Sequence, residues 1–258
     1  MRTMIPLFAV LAFACGESEP TEKTTTTPAD TDTDTDADSD TDTDADTDTD
    51  TDTDTDTDPN RVAVSFTVID LLTTNPVEDV ALTSDGDDAT TDAGGQASIT
   101  VPLDADYEIV GTQGDYYDHV WVGYGGADHA HASGMLSRAA GGALAAGLGI
   151  SVDPAKGVVV VTIVDGAGGA IPDTTVGIDA AYELSLVADD SALVGYSDGD
   201  TTLAANDSTV IFVNVDPGDI VLDLQLPGSQ TCAFVGGGTA DWSTSVADSV
   251  TQTAVVCQ

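Results

Sequence analysis

The chain has 258 residues, 41% of them hydrophobic but only 5% aromatic, and a formal net charge of -41. Residues 1–60 carry -16 of that charge and residues 61–258 carry -25, with five Lys and Arg in the whole chain, so no basic patch can form and nucleic acid is excluded as a partner. Few aromatics beside abundant Gly, Thr and Val favour strands and turns over a helical bundle.

The first 20 residues read MRTMIPLFAVLAFACGESEP, with one positive charge at Arg2 and an 11-residue apolar run from Met4 to Ala14. At 1.5 Å per residue that run is too short to cross a bilayer, and it fits the hydrophobic region of a secretory signal. Two endings stand open. Ala12-Phe13-Ala14 matches the A-x-A pattern of ordinary cleavage, whereas LAFAC resembles a bacterial lipoprotein signal, with Ala12 where that family usually has leucine. If Cys15 carries lipid, Cys232 and Cys257 remain as an even pair for an oxidising compartment; if it does not, one exported thiol is left over. The lipoprotein resemblance implies that residues 1–14 are removed and that Cys15 is acylated. Gly16, rather than aspartate, at the next position points to the outer membrane or cell surface.

Residues 15–60 are dominated by DTDTDTDADSDTDTDADTDTDTDTDTDTD, with aspartate at every even position from Asp30 to Asp58. Alternation is formally a strand pattern, yet Thr on one face and Asp on the other leave no apolar face to bury, and stacked carboxylates repel. The segment is expected to be a disordered, extended stalk reaching at most ~150 Å from Cys15 to Asn60. A polyanion this dense attracts calcium weakly and collectively, but it lacks the Gly and bidentate Glu that shape a defined site.

After Pro59 the composition switches to short β-branched runs with turn signals between them, the pattern of an antiparallel sandwich. Strands are predicted at Val62 to Ile69, Val77 to Leu82, Gln96 to Val101, Tyr107 to Gly111 and His119 to Val122, separated by the turn sequences SDGDD and DAGGQ. A second segment repeats the plan. VVVVTIVDGAGGAIPDTTVGI matches VAVSFTVIDLLTTNPVEDVAL, placing Asp165 on Asp70, Pro172 on Pro76, Val176 on Val80 and Ile178 on Leu82. The sequence SDGD recurs at residues 84–87 and 197–200, and the same offset of 113 carries Asp106 to Asp219 and Tyr107 to Ile220. The second copy is therefore expected to have gained 18 residues, most of them within 179–196.

The stretch NPVEDVALTSDGDDATTDAGGQASITVPLDADYEIV, with Asp followed by P-x-x-x-V-x-L and TDAGG before the next strand, resembles the carboxypeptidase regulatory-like domain, a small transthyretin-like β-sandwich. The second copy has AANDS in place of that last turn. The resemblance implies non-catalytic accessory domains of surface and secreted proteins. Between the copies, Leu136, Ala140, Leu144 and Leu148 form one apolar stripe at helical spacing, with Ser133 placed to cap its start. Gly141 and Gly142 each cost such a helix about 1 kcal/mol relative to alanine, so it needs a surface to lie on.

Candidate chemistry is sparse. His129 and His131, with Asp118 and Asp128 nearby, can present two imidazoles to zinc or copper, but the Gly-rich surroundings read as a loop and no other ligand set accompanies them. Asp85, Asp87, Asp198 and Asp200 can offer carboxylates to calcium, though Asp-Gly is also what a hairpin turn requires, and the complete calcium loop with its distal Glu is absent. No G-x-S-x-G elbow occurs, and acids are too plentiful for any pair to stand out, so no catalytic residues are assigned. Cys232 and Cys257 are expected to form a disulfide that pins the last strand, worth ~3 to 4 kcal/mol on the chain-entropy model. Tyr116, Tyr117, Trp121 and Tyr124 are candidates for a carbohydrate-stacking platform.

The sequence thus predicts a mainly β protein with five parts: a signal at 1–14, a stalk at 15–60, a first antiparallel Ig- or transthyretin-like sandwich at 61–125, a helical connector at 126–156 and a second sandwich at 157–258. The expected role is a non-catalytic, lipid-anchored envelope or surface protein, structural or adhesive, with protein or polysaccharide as partner. The alternative is a calcium-dependent binding module or an accessory subunit of a secreted enzyme.

Overall fold

A computed structural model describes residues 58–188, 196–203 and 208–258; Cys15, the signal and the stalk up to residue 57 lie outside the described residues. The first repeat runs β1 (Arg61–Asp70), β2 (Ala81–Ser84), β3 (Asp87–Thr90), β4 (Gln96–Pro102), β5 (Asp106–Thr112), β6 (Asp118–Tyr124) and β7 (His129–Met135). After α1 (Arg138–Leu148), the second runs β8 (Gly157–Asp165), β9 (Thr175–Ile178), β10 (Leu184–Ala188), β11 (Tyr196–Asp198), β12 (Thr209–Val215), β13 (Gly218–Gln225), β14 (Cys232–Phe234), β15 (Trp242–Ser245) and β16 (Ser249–Cys257). The fold is mainly β.

Period-2 patterning decides which side chains are buried. In β1, Val62, Val64, Phe66 and Val68 point into one core while Ser65 and Thr67 face out. In β8 both faces are aliphatic: Val159, Val161 and Ile163 are buried in a second core, and Val158 and Val160 are half-buried on the opposite face. Such a strand needs cover on both sides.

The two repeats share one strand plan. In the first, sheet β4-β1-β7 packs over β6-β5-β2-β3; in the second, the equivalent sheets are β12-β8-β16 and β15-β13-β9. The first strand of each repeat pairs antiparallel with one neighbour and parallel with the last strand of the repeat. What joins the copies is β16, which pairs parallel with β8 on one edge and with β6 of the first repeat on the other. One continuous sheet, β11-β10-β12-β8-β16-β6-β5-β2-β3, therefore passes through both repeats. Strand β6 is buried on both faces, sending Trp121 into the first core and Val120 and Val122 into the second.

Local turn chemistry repeats as well. Asp70 Oδ1 accepts from the N–H groups of Leu72 and Thr73 at 2.9 and 2.7 Å, and Asp165 Oδ1 accepts from Ala167 and Gly169 at 2.9 and 2.7 Å. Gly95 closes the TDAGG turn at φ 71°, where an added Cβ would stand 2.3 Å from the Val68 carbonyl oxygen, so only glycine fits.

The structure corrects the internal alignment. Thr91 Oγ1 donates to Val77 O and accepts from Val80 N–H; Thr202 Oγ1 does the same with Ile171 O and Thr174 N–H, at 2.8 and 2.9 Å in both repeats. Val80 thus corresponds to Thr174, and the buried counterpart of Val176 is Leu82, a shift of two residues from the match made on the prolines. One residue is missing from the turn after Asp165, as the bridges Ile69↔Pro76 and Val164↔Ala170 show, and neither proline is buried. The two SDGD sequences are likewise not equivalent. Residues 84–87 form the β2–β3 turn, with Asp85 and Gly86 at φ 39° and 84°, whereas residues 197–200 end β11. The residues gained by the second repeat include the β10–β11 hairpin, which extends the long sheet.

Two further corrections concern the segment between the repeats. His129–Met135, read as a loop, is strand β7 of the first sandwich; its Ala, Ser and Gly residues hide the alternation that buries His131, Ser133 and Met135. Ser133 is consequently not a helix cap. Ser137 takes that place and accepts from Ala140 N–H, and Gly149 closes the helix in the left-handed conformation.

Candidate functional site

An apolar cleft of about 470 Å³ lies among the described residues. Its walls are the edge of β7 (Ala132 to Gly134) and α1 (Ala140, Leu144, Leu148), and its floor is the outer face of the long sheet (Val158, Val160, Ile211, Val213). The reason lies in the topology. Sheet β4-β1-β7 ends above β6, and among the described residues the apolar face that continues beyond it, across β16, β8 and β12, is covered by the 11-residue helix α1 with Leu71, Leu72, Ile150 and Val152 beside it. That volume lies in the range of small-molecule and side-chain pockets, roughly 300 to 1,000 Å³.

A hydrogen-bonded polar cluster stands at the base of the cleft. Trp121 Nε1–H donates to Ser133 Oγ and, at 3.2 Å, to Gln252 Oε1; Ser133 Oγ–H donates to the same Oε1 at 2.6 Å. Gln252 Nε2 donates to Gly134 O at 2.8 Å, and Leu136 N–H donates to His119 Nε2 at 3.1 Å. These residues come from β6, β7 and β16, so the cluster fastens the first repeat to the last strand of the second. Its groups are spent on one another, which makes it a structural junction rather than a reacting centre.

The sequence candidates scatter over the fold. His131 is 7% exposed, packs on Phe66 with ring centroids 5.2 Å apart, and its Nδ1 has no hydrogen-bond partner. Burial, with a smaller contribution from His129, pushes its pKa down to about 4. His129 is tied up differently: Nδ1–H donates to Ala127 O at 2.8 Å and Nε2 accepts from Tyr107 O–H at 2.9 Å. The two imidazoles are thus engaged with different neighbours.

Asp87 Oδ2 accepts from Thr100 N–H and Oγ1–H, both at 2.6 Å, and these bonds hold its pKa below the usual value. Asp200 accepts from Thr201 Oγ1–H at 3.1 Å. Asp85 occupies a tight turn and Asp198 the end of β11. No group of three or more metal-type side chains occurs among the described residues.

The aromatic platform does not form. Trp121 is fully buried against Phe66, 5.1 Å between ring centroids. Tyr116 O–H donates to Asp70 Oδ2 at 3.0 Å, Tyr117 lies under the Arg138 guanidinium at 4.8 Å, and Tyr124 packs against Gly238. Alternation on β6 could have warned of this, since Trp121 shares its face with His119 and not with the loop tyrosines.

Cys232 and Cys257 are joined by a disulfide between the paired strands β14 and β16. The cleft itself had no signal in the sequence beyond the two-faced valine run of β8.

No protein family profile matches the chain, and no curated protein sequence does. Among solved structures it is similar to the TIE protein of Bacillus anthracis (11% identity, TM-score 0.25, 77% of this chain and 34% of that one). It is also similar to the minor pilin GBS52 of Streptococcus agalactiae (12%, 0.25, 76% and 95%). A third is the shaft pilin SpaA of Lactobacillus rhamnosus GG (10%, 0.23, 77% and 97%). The chain spans about a third of the length of the Bacillus anthracis protein. Superpositions this loose do not establish a common strand arrangement.

Proposed function

We propose that this chain is a non-catalytic, lipid-anchored surface protein of the cell envelope, in which the fused sandwiches act as a structural or adhesive module toward another macromolecule. The observation that carries the reading is the sheet shared by both repeats. A strand paired on both edges, a hydrogen-bonded polar junction and the Cys232–Cys257 disulfide brace the two sandwiches against each other. Investment of this kind suits a part that transmits load or presents a surface. The polar groups of the junction serve that bracing, and the cleft beside it is lined mostly by aliphatic side chains.

Anchoring rests on the sequence: the short apolar run and LAFAC ahead of a 29-residue Asp/Thr tract. Metabolic labelling with palmitate, with surface proteolysis of intact cells, tests the reading. Label on the wild type and none on Cys15→Ser, with the folded part accessible from outside, is the expected result. An unlabelled protein retained in the cytoplasm would overturn it.

A further inference from the structure

Among the described residues no strand pairs with the outer edge of β7, and that edge supplies the observation. In the parallel pairing with β1, alternate residues of β7 turn their backbone N–H and C=O toward β1 and the others turn away. Met135 O accepts from Leu71 N–H on the β1 side, whereas Gly134 O faces the other way and accepts from Gln252 Nε2. By period 2, the N–H and C=O groups of Ala130 and Ala132 also face away from β1, and Ala132 lines the cleft. This edge bears neither a charge nor a proline along HAHASGM, the devices with which edge strands usually discourage pairing. One end of the long sheet, by contrast, is the short and acidic β3, DDAT.

The second repeat shows what such an edge accepts. β16 is the counterpart of β7, and its corresponding edge is filled along its length, by β6 in parallel over Ser249–Thr253 and by β14 over Cys257–Val255. The equivalent lane beside β7 is instead the cleft, floored by Val158, Val160 and Ile211. An extended segment placed there would bond to Ala130 and Ala132 and lay alternate side chains on that apolar floor.

Charge selects among extended segments. Residues 61–258 carry a net -25, and their three bases are engaged: Arg61 with Thr100, Arg138 with Asp248 at 2.9 Å and Lys156 with Asp216 at 2.8 Å. Like charge disfavours the chain's own Asp/Thr tract as occupant and favours a segment with basic flanks. We propose that the free edge of β7, together with the cleft beside it, binds an extended peptide segment of a partner protein, apolar at alternate positions and flanked by lysines, as an added parallel strand. This deepens the adhesive reading above and rests on it.

The test uses the full mature chain carrying Cys15→Ser and the synthetic peptide Lys-Lys-Val-Thr-Val-Thr-Val-Lys-Lys. Saturable binding is expected, with slowed hydrogen exchange at the amides of Ala130, Ala132 and Gly134. N-methylation of the alternate peptide amides that face β7 should weaken binding tenfold or more, since each methyl removes a donor to the β7 carbonyls. Ala132→Pro, which removes an N–H that β1 does not use, should weaken it similarly. Equal affinity for the N-methylated peptide, protection at another sheet edge, or no binding would overturn the proposal whether or not the proline variant folds. So would competition by dodecanoate with protection confined to α1, which would make the cleft an acyl pocket. Any of these results, with palmitate labelling and surface exposure intact, would remove the strand-addition site and leave the surface-protein reading standing.

Discussion

Mild acid should destabilise this fold through two imidazoles, well above the range in which carboxylates titrate. Burial holds the pKa of His119 near 3 and that of His131 near 4, against an ordinary 6.5, so both are neutral in the folded chain. His119 is enclosed by Trp121, Gln252 and the Leu136 amide, and His131 by Phe66 with His129 nearby. Between pH 6.5 and the depressed values the unfolded chain binds protons that the folded chain does not. Stability is therefore full above about pH 6.5 and falls as the pH drops. At pH 5 the gap is about 1.5 units per histidine, or roughly 2 kcal/mol each, so the pair costs about 4 kcal/mol out of the 5–15 typical of a folded chain. Glu108 works in the opposite sense, because burial and then Asp219 raise its pKa and its protonation favours the folded form. Urea denaturation at pH 7.5, 6.5, 5.5 and 5.0, followed by tryptophan fluorescence, reads the loss. His131→Leu removes a nitrogen without a partner, so it should fold at pH 7.5 and show about half the wild-type loss at pH 5. A midpoint that stays flat from pH 7 to 5, or a leucine variant with the full wild-type loss, would refute the reasoning.

Other outcomes follow from single sites. Gly111→Ala should cost about 1 to 3 kcal/mol by overpacking, because the added Cβ would lie 2.4 Å from Trp121 Cζ3; thermal denaturation checks it. Replacing Cys232 and Cys257 by serine together should lower stability by roughly 3 kcal/mol and speed exchange of the β16 amides from Val255 to Cys257, whereas the amides of β1 should change little at first. Thr91→Val leaves Val80 N–H and Val77 O without their shared partner, a loss of about 1 to 3 kcal/mol that a urea titration would register; Thr202→Val should do the same in the second repeat. Asp70→Asn should weaken the turn after β1. The loss should vanish in strong acid, because hydrogen bonds from Thr73, Tyr116 and Leu72 outweigh burial and hold the Asp70 carboxyl below its ordinary pKa, so wild type loses this contribution as pH falls through that value.

Much of the strand plan was legible because alternation and turn residues are local signals. Val62, Val64, Phe66 and Val68 announce β1, and Asp-Gly at 85–86 announces its turn. β7 was not legible, since HAHASGM spends its inward positions on His, Ser and Met, none of which marks a strand core. The alignment of the two repeats slipped by two residues for a related reason. Identity between prolines that are not in the core outweighed the match of Leu82 with Val176, two different side chains in the same buried position.

Composition and order along the chain thus determined an acidic, mainly β protein with a short apolar run near its start, an Asp/Thr tract and two copies of one plan. Which copy's edge meets which strand was decided by the tertiary structure alone. The pairing of β16 with β6 joins residues about 130 apart through backbone groups that every residue carries, so no side-chain pattern encodes it locally. The same pairing fills the edge of β16, leaves the equivalent edge of β7 open, and makes the face beside it a cleft.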